Sequence, residues 1–415
     1  MIVKIYKLIS NIIFIPILIY FLLRLLFSKE SKQSIMEKFF FIKSKRPKGK
    51  VIWINGVSIG EAKSGLIVAE EILKKQPNTK ILFSTSTQTA HQIISNLKKN
   101  IILIYTPIDI NFVIQKFLNH WRPQQTIFME SEIWPNIISE LSSKQISFTI
   151  LNARMSKKSF FIWKKMMFFS KKIFPIINYC FAQDEDSKNR FQILGVKNVK
   201  IMTNLKFLSP IQKIDTNKYR TLRKNLHKKI IITLFSCHED EELILVNCYK
   251  KLKKKYDKLF FIIIPRHIHK KDKILNNLKN NNLDFLIRTT SNKNLSGQSF
   301  YLVDTYGELN LFFKLSDIAI VGGSFKKIGG HNPIEVSNHN CVLLFGPEMF
   351  NFKEIKKKIV QAKAGFEVFN YHDLSKKIEL IINNTKLKKK MTSNLKKLCS
   401  HESKKAKLVL KQIAQ

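Results

Sequence analysis

Acidic residues are scarce in this chain, 30 Asp and Glu against 72 Lys and Arg, so the places where acids gather narrow the chemistry. Glu61 stands in Ser58-Ile59-Gly60-Glu61, directly after the apolar run VIWING. A carboxylate at a strand-to-helix junction lies at the mouth of a sheet, where it could take a proton from a substrate hydroxyl. The same residue could equally be an acid well placed against the positive end of a helix. Glu130 and Glu132 open the segment Glu130-Ser131-Glu132-Ile133-Trp134-Pro135-Asn136. Carboxylates this close can bind a cation or share a proton; as two solvated surface acids they would do neither.

A second group is built for anions. Pro265-Arg266-His267 ends the apolar run LFFIII. An Arg there can fork onto a phosphate, or it can be an ordinary loop cation. Four of the 13 glycines, Gly322, Gly323, Gly329 and Gly330, fall within nine positions and lead into His331-Asn332-Pro333-Ile334-Glu335. Glycines admit a close approach of backbone N–H groups to a phosphate. Pro333 suits the first turn of a helix whose N-terminus would face the anion, and Glu335 could hold hydroxyls of a ribose. The alternative is a flexible turn. Asp304-Thr305-Tyr306-Gly307-Glu308-Leu309 is another strand-end loop, supplying further donors or merely starting a helix. The glycine spacing is neither a Walker A nor a GxGxxG pattern, so ATP or NAD use is not supported and no cofactor is expected. His238, His267, His269 and His331 form no tight metal pattern, and no metal site is expected. The five cysteines make no CxxC pair, which argues against a disulfide scaffold or a Cys-based zinc site.

These groups need elements to hold them. Short apolar runs at residues 51–54, 80–84, 101–105, 126–129, 148–151, 179–182 and 199–202 read as strands separated by helical stretches, the first helix spanning residues 62–75. The pattern restarts with runs at 229–235, 259–265, 284–287, 300–303, 318–321 and 341–345. Alternation of this kind predicts parallel βαβ units. The expectation is an α/β chain with two Rossmann-like halves facing across a cleft, ligands lying at the carboxyl ends of the strands. The boundaries read as an N-terminal segment 1–28, a first half 29–208, a Lys-rich linker 209–225, a second half 226–373 and a basic helical tail 374–415.

Residues 9–27 are almost all apolar, ISNIIFIPILIYFLLRLLF, with Pro16 and Arg24 as the interruptions. About 20 such residues are needed to span a hydrocarbon core. A membrane-anchor helix is expected; a signal peptide or a buried core helix are the alternatives, the former lacking a small-residue cleavage site. Lysines at 29, 32 and 38 favour a cytoplasmic main body on the positive-inside rule. The formal net charge of +42 calls for anionic partners, whether nucleic acid, a membrane surface or phosphorylated substrates, although much of the Lys excess can be solvated surface. The basic runs are not interleaved with aromatics and no nucleic-acid motif is present, so nucleic acid is not the expected partner.

Taken in order, these motifs resemble the bacterial Kdo (3-deoxy-D-manno-octulosonic acid) transferases of lipopolysaccharide assembly. The resemblance runs over residues 1–370. It is carried by the N-terminal anchor, SIGE, ESEIWPN, Asn152-Ala153-Arg154-Met155-Ser156, Asn204-Leu205-Lys206-Phe207, PRH, DTYGEL, GGSFKKIGGHNPIE and Gly346-Pro347 with Asn351-Phe352. It departs from the family at Asn55-Gly56-Val57, at Ser86-Thr87-Gln88-Thr89-Ala90 and at Ser236-Cys237-His238. The resemblance implies a GT-B glycosyltransferase at the cytoplasmic side of the inner membrane, with CMP-Kdo as donor and a lipid A precursor as acceptor. It implies inversion without a metal. Glu61 would be the catalytic base, with Glu130 and Lys206 stabilising the transition state. Pro265, Arg266, Tyr306, Gly307, Glu308, Asn332, Pro333, Ile334 and Glu335 would contact CMP, and Ser58, Gly60, Glu132, Gly330 and His331 are further candidates. The rival expectations are another membrane-bound nucleotide-sugar transferase on the same GT-B fold and, behind it, a membrane-tethered nucleic-acid binder.

Overall fold

A computed structural model describes residues 1–41, 44–95, 101–209, 214–290, 295 and 297–413. The chain divides into two compact units, Met1–Ser209 together with Glu402–Gln415, and Pro210–His401. Each unit is built on a seven-stranded, wholly parallel sheet.

The first sheet comprises β1 (Val51–Asn55), β2 (Lys80–Thr85), β3 (Ile101–Tyr105), β4 (Gln125–Met129), β5 (Ser147–Ala153), β6 (Tyr179–Ala182) and β7 (Val199–Ile201). Their order is β3-β2-β1-β4-β5-β6-β7. All five residues of β1 are buried, because helices cover both faces of a parallel sheet. Its side chains alternate between two cores. Val51 and Trp53 pack with Phe117, Phe128 and Phe148, whereas Ile52 and Ile54 pack with Phe83, Ile127 and Met129. Strand order reverses between β1 and β4, so the loops leaving these two strands part at their carboxyl ends and open a crevice there. Glu61 and Glu130 follow those two strands.

The second sheet comprises β8 (Ile230–Cys237), β9 (Leu259–Pro265), β10 (Phe285–Ile287), β11 (Phe300–Leu302), β12 (Ile318–Val321), β13 (Val342–Phe345) and β14 (Gly365–Glu367). The order β10-β11-β9-β8-β12-β13-β14 reverses between β8 and β12. The loop carrying His238 and the glycine-rich loop leave those strands. β14, three residues long, has no apolar run to announce it and pairs with β13 at the sheet edge.

Three segments differ from the sequence reading. The N-terminal apolar run is not one helix but two, α1 (Ile2–Ile12) and α2 (Phe14–Leu26), bent by 45° at Ile13. Pro16 has no N–H to donate to Ile12, so the hydrogen-bond ladder cannot run through this point. Among the described residues no single helix is long and apolar enough to cross a membrane, although the bent pair together reaches that length and composition. The segment 209–225 contains a helix, Thr216–Asn225, started by Asp215, which accepts the Asn217 and Lys218 amides; residues 210–213 of the expected linker lie outside the described residues. The helix Thr385–Ile413 counts with the second unit only as far as His401. Beyond it, buried Glu402 accepts from Thr203, and Leu410 joins the Ile52–Ile54 core of the first unit.

Candidate active site

Glu61 owes its position to the turn before it. A Cβ on Gly56 would lie 2.9 Å from both the Ala62 nitrogen and the Glu61 carbonyl carbon. Only glycine therefore lets the helix Ile59–Lys75 begin directly above the end of β1. Ser58 caps that helix. Its Oγ accepts from the Glu61 amide at 3.4 Å and donates to Glu61 Oε1 at 2.9 Å. The Val57 amide donates to Glu61 Oε2 at 3.0 Å. The carboxylate is thus fixed at both oxygens while only 9% of the residue is exposed. Burial, and then the proximity of Glu130 and Glu132, push its carboxyl up to about 7, against the hydrogen bonds from Ser58 and Val57. A carboxyl so tuned is close to half-ionised at neutrality, which suits proton abstraction from a hydroxyl.

Glu130 follows β4 in the left-handed conformation, φ 58°, at a cost on the order of 1–3 kcal/mol. Its amide donates to Leu151 O at 2.9 Å and its carbonyl accepts from Arg154 N at 3.4 Å, so the turn is pinned to the neighbouring strand. Asn152, also left-handed at φ 56°, links two motifs that lie far apart in the chain. Its Nδ2 donates to Glu130 Oε1 at 3.4 Å, and its Oδ1 accepts from the Leu205 amide at 3.1 Å. Leu205 opens the 3-10 turn Leu205–Leu208 that carries Lys206, whose amide is held by Asn204 Oδ1 at 3.0 Å. Glu132 accepts from the Trp134 indole at 2.7 Å; burial, and then Glu130, raise its carboxyl. The first unit therefore gathers Glu61, Glu130 and Glu132, with Ser58 and exposed Gly60 at the helix start and the Lys206 turn tied in through Asn152. The linking role of Asn152 was not legible from its residue type; an Asn one residue from the end of a buried strand, where αL backbone is tolerated, is the local signal for it.

In the second unit, Pro265 closes β9 and the exposed Arg266 follows, its amide donating to Cys237 O at 2.8 Å. Three histidines meet nearby. His238 Nε2 lies 2.9 Å from His331 Nε2, one ring donating and the other accepting, and the His267 ring centre lies 5.7 Å from that of His238. Burial, and then Arg266 and the other two imidazoles, depress His331 to about 3. Burial, followed by His267, Arg266, Lys270 and Lys326, lowers His238. A cavity of about 240 Å³ adjoins them, its polar lining supplied by His238, His267, Lys270, Lys326 and Glu239, the last paired with Lys270 at 2.8 Å. Depressed imidazoles among fixed cations form a setting that an anion relieves.

The glycine-rich loop has a different internal economy from the one its sequence suggests. Buried Glu241 accepts from the amides of His238 at 2.9 Å, Gly323 at 2.6 Å and Phe325 at 3.1 Å. The Gly323 and Phe325 donors are thus consumed by a side chain of the same unit and do not form a phosphate cradle. Close packing accounts for the glycines instead. A Cβ on Gly322 would lie 2.3 Å from Ser236 O, and one on Gly330 2.2 Å from Met349 Sδ. Nor does Pro333 begin an α-helix. Pro333–Asn338 is a six-residue 3-10 segment, and Asn332 Oδ1 already accepts the Ile334 amide at 3.3 Å. Asn332 Nδ2 donates to exposed Glu335. Tyr306 is 77% exposed beside Gly307, whereas Glu308 accepts from Arg288 Nε and Nη2, each at 3.1 Å, and from Thr305 and Lys218. Burial opposes its ionisation, but these partners hold its carboxyl down at about 2.

Two parallel sheets in two units, each bearing its polar side chains at the carboxyl strand ends, define a GT-B-type α/β protein. Solved structures share the fold. A glycosyltransferase from Rickettsia africae superposes with a TM-score of 0.62 at 14% identity, covering 88% of this chain and 97% of that one. A UDP-GlcNAc 2-epimerase from Neisseria meningitidis does so at 0.61 and 15%, covering 88% and 99%. Residues 33–209 match the family model for 3-deoxy-D-manno-octulosonic-acid transferase (kdotransferase). Over 390 residues the chain is 32% identical to the 3-deoxy-D-manno-octulosonic acid transferase of Rickettsia bellii, covering 92% of this chain and 93% of that protein. Over 374 residues it is 30% identical to that of Haemophilus influenzae, covering 88% and 87%. The chain belongs to the 3-deoxy-D-manno-octulosonic acid transferase family and is a glycosyltransferase.

Proposed function

We propose that this enzyme transfers Kdo from CMP-Kdo to a lipid A precursor, with inversion and without a metal electrophile, at the cytoplasmic side of the inner membrane. The buried Glu61, fixed at both oxygens and tuned to about 7, is the observation that carries this reading. Glu61 removes the proton of an acceptor sugar hydroxyl as that oxygen bonds to the anomeric carbon of Kdo. The bond from that carbon to the CMP phosphate oxygen breaks, and the electron pair leaves with CMP. Glu130 and Lys206 act on the transition state. Pro265, Arg266 and the Tyr306–Glu308 and Asn332–Glu335 segments hold the nucleotide. The cations around His238 and His331 favour the departing phosphate, a role that a metal would otherwise fill. A lipid acceptor and a +42 chain fit an anionic membrane surface, against which α1 and α2 expose Leu8, Ile12, Ile15 and Leu26.

The test is incubation of the full chain with CMP-Kdo and a tetra-acylated lipid A precursor, followed by mass spectrometry of the lipid. One or more added Kdo residues is the expected product. No transfer from CMP-Kdo, with transfer from a UDP-sugar instead, would replace this reading by another nucleotide-sugar transferase.

A further inference from the structure

Helix α1 carries a polar stripe, and every member of it bonds to the first unit. Tyr6 Oη donates to Asp109 Oδ2 at 3.1 Å, and Lys7 Nζ to Glu140 Oε1 at 2.5 Å. Ser10, 3% exposed, accepts the Asn111 amide, and Asn11 the Phe112 amide, both at 3.3 Å. The helix Asn111–Trp121 has Ile110 at its N-cap, which offers no side-chain acceptor; α1 supplies the missing caps from a distant part of the chain. A membrane tether would not need these bonds.

The same stripe reaches the acidic motif. The helix Pro135–Ser143 begins at Trp134, which also gives no side-chain cap. Asp109 takes that place, its Oδ2 accepting from Asn136 N at 3.1 Å and its Oδ1 from Ile137 N at 2.9 Å. Tyr6 is the third donor to this half-buried carboxylate. Lys7 holds Glu140 one turn further along the same helix. Trp134, at the helix start, donates to Glu132, whose charge acts on Glu61. The outward side of α1 is open and, apart from exposed Lys4, apolar, with Ile5, Leu8, Ile9 and Ile12 each 47–67% exposed.

We propose that α1 is a latch for the acidic turn, in which Tyr6 and Lys7 are positioning residues that hold Asp109 and the helix Pro135–Ser143 and thereby fix the Trp134–Glu132 turn that follows Glu130. The stripe and the open side then have separate tasks. The stripe sets catalytic geometry, and the open side meets an anionic lipid surface, so the helix lies along the unit and does not leave it to cross the bilayer.

The experiment compares two variants of the full chain, Tyr6→Phe/Lys7→Met and Leu8→Ser/Ile12→Ser. The acceptor is a water-soluble, deacylated lipid A disaccharide, which needs no membrane. The kinetic arm rests on the Kdo-transfer reading; the exchange arm does not. The stripe variant should lose at least about fivefold in kcat, with the KM for CMP-Kdo within about twofold of wild type, because a shifted acid harms turnover and not donor capture. Amide exchange at Asn136 and Ile137 should quicken by at least about tenfold as their acceptor loosens. The open-side variant should sediment less with phosphatidylglycerol vesicles, yet keep wild-type kcat on the soluble acceptor and wild-type exchange; undiminished sedimentation overturns the lipid-facing task of the open side. Unchanged exchange at Asn136 and Ile137 in the stripe variant overturns the latch, as does unchanged kcat. Loss of kcat in the open-side variant overturns the separation of tasks. If wild type transfers no Kdo, the functional reading falls while the exchange result still decides the latch. Should the double variant not fold, Tyr6→Phe, which removes one hydroxyl, is read in the same way.

Discussion

The two units place crowds of opposite character at equivalent points of similar sheets. In the first, three carboxylates gather where β1 and β4 part. In the second, three imidazoles gather with Arg266 where β8 and β12 part, Lys270 and Lys326 being paired there with Glu239 and Asp240. The same physics moves both. Desolvation is the largest cause at Glu61 and at His331, and like charges are the next, yet the carboxyl rises to about 7 and the imidazole falls to about 3. Glu61 is left close to half-ionised at neutrality and so can take a proton, whereas the His331 imidazole is left neutral beside Arg266. Both settings are held by internal bonds, at the cost of backbone strain at Glu130 and of loop donors at Gly323.

Removing the acid should have the largest effect. Glu61→Ala should lower kcat by at least about a thousandfold, while CMP-Kdo binding by calorimetry stays close to wild type. Binding lost with turnover intact would reverse the assigned role. The burial that tunes Glu61 also has a stability consequence of fixed sign. The folded chain holds this proton more tightly than the unfolded chain does. The resulting stabilisation is complete below pH 4.5 and is lost as pH rises through about 7. Glu61→Gln carries no such penalty, so at pH 8 it should be more stable than wild type by up to about 3 kcal/mol, with the gap closing below pH 4.5. Thermal melts of both proteins at pH 4 and pH 8 check this; a pH-independent gap would mean that the Glu61 carboxyl is not perturbed. On the basic side, Arg266→Ala should weaken CMP-Kdo binding by about 1.5–3 kcal/mol, seen as a raised dissociation constant with kcat at saturating donor altered less. Unchanged donor affinity would remove Arg266 from the site.

Much of this was legible beforehand because it is written in local pattern. Thirteen of the fourteen strands are short apolar runs, and the acids and the Pro265-Arg266 pair follow them directly. β14, Gly-Phe-Glu, is too short to carry a period. What residue types could not reveal is who pairs with whom. Glu241 reads as one acid in a run of four, yet it takes the very amides that the glycine pattern offers to a phosphate. Asp109 reads as a lone loop acid and is the cap of a helix that starts 26 residues later. Residues 9–12 read as the start of an apolar anchor, with Ser10 and Asn11 outnumbered in it, and Tyr6 and Lys7 read only as its flank. Their placement on one helical face matters only once the first unit stands against them. Long-range pairing of polar groups is decided by the fold and not by spacing.

The most direct test of the central claim is the pH dependence of kcat/KM for Kdo transfer between pH 5 and 9. With Glu61 as the base, the rate should rise about tenfold per pH unit on the acid side and level off above about 7, the value set by its burial and by Glu130 and Glu132. A rate that stays flat down to pH 5, or an acid limb that persists unchanged in Glu61→Ala, would contradict it.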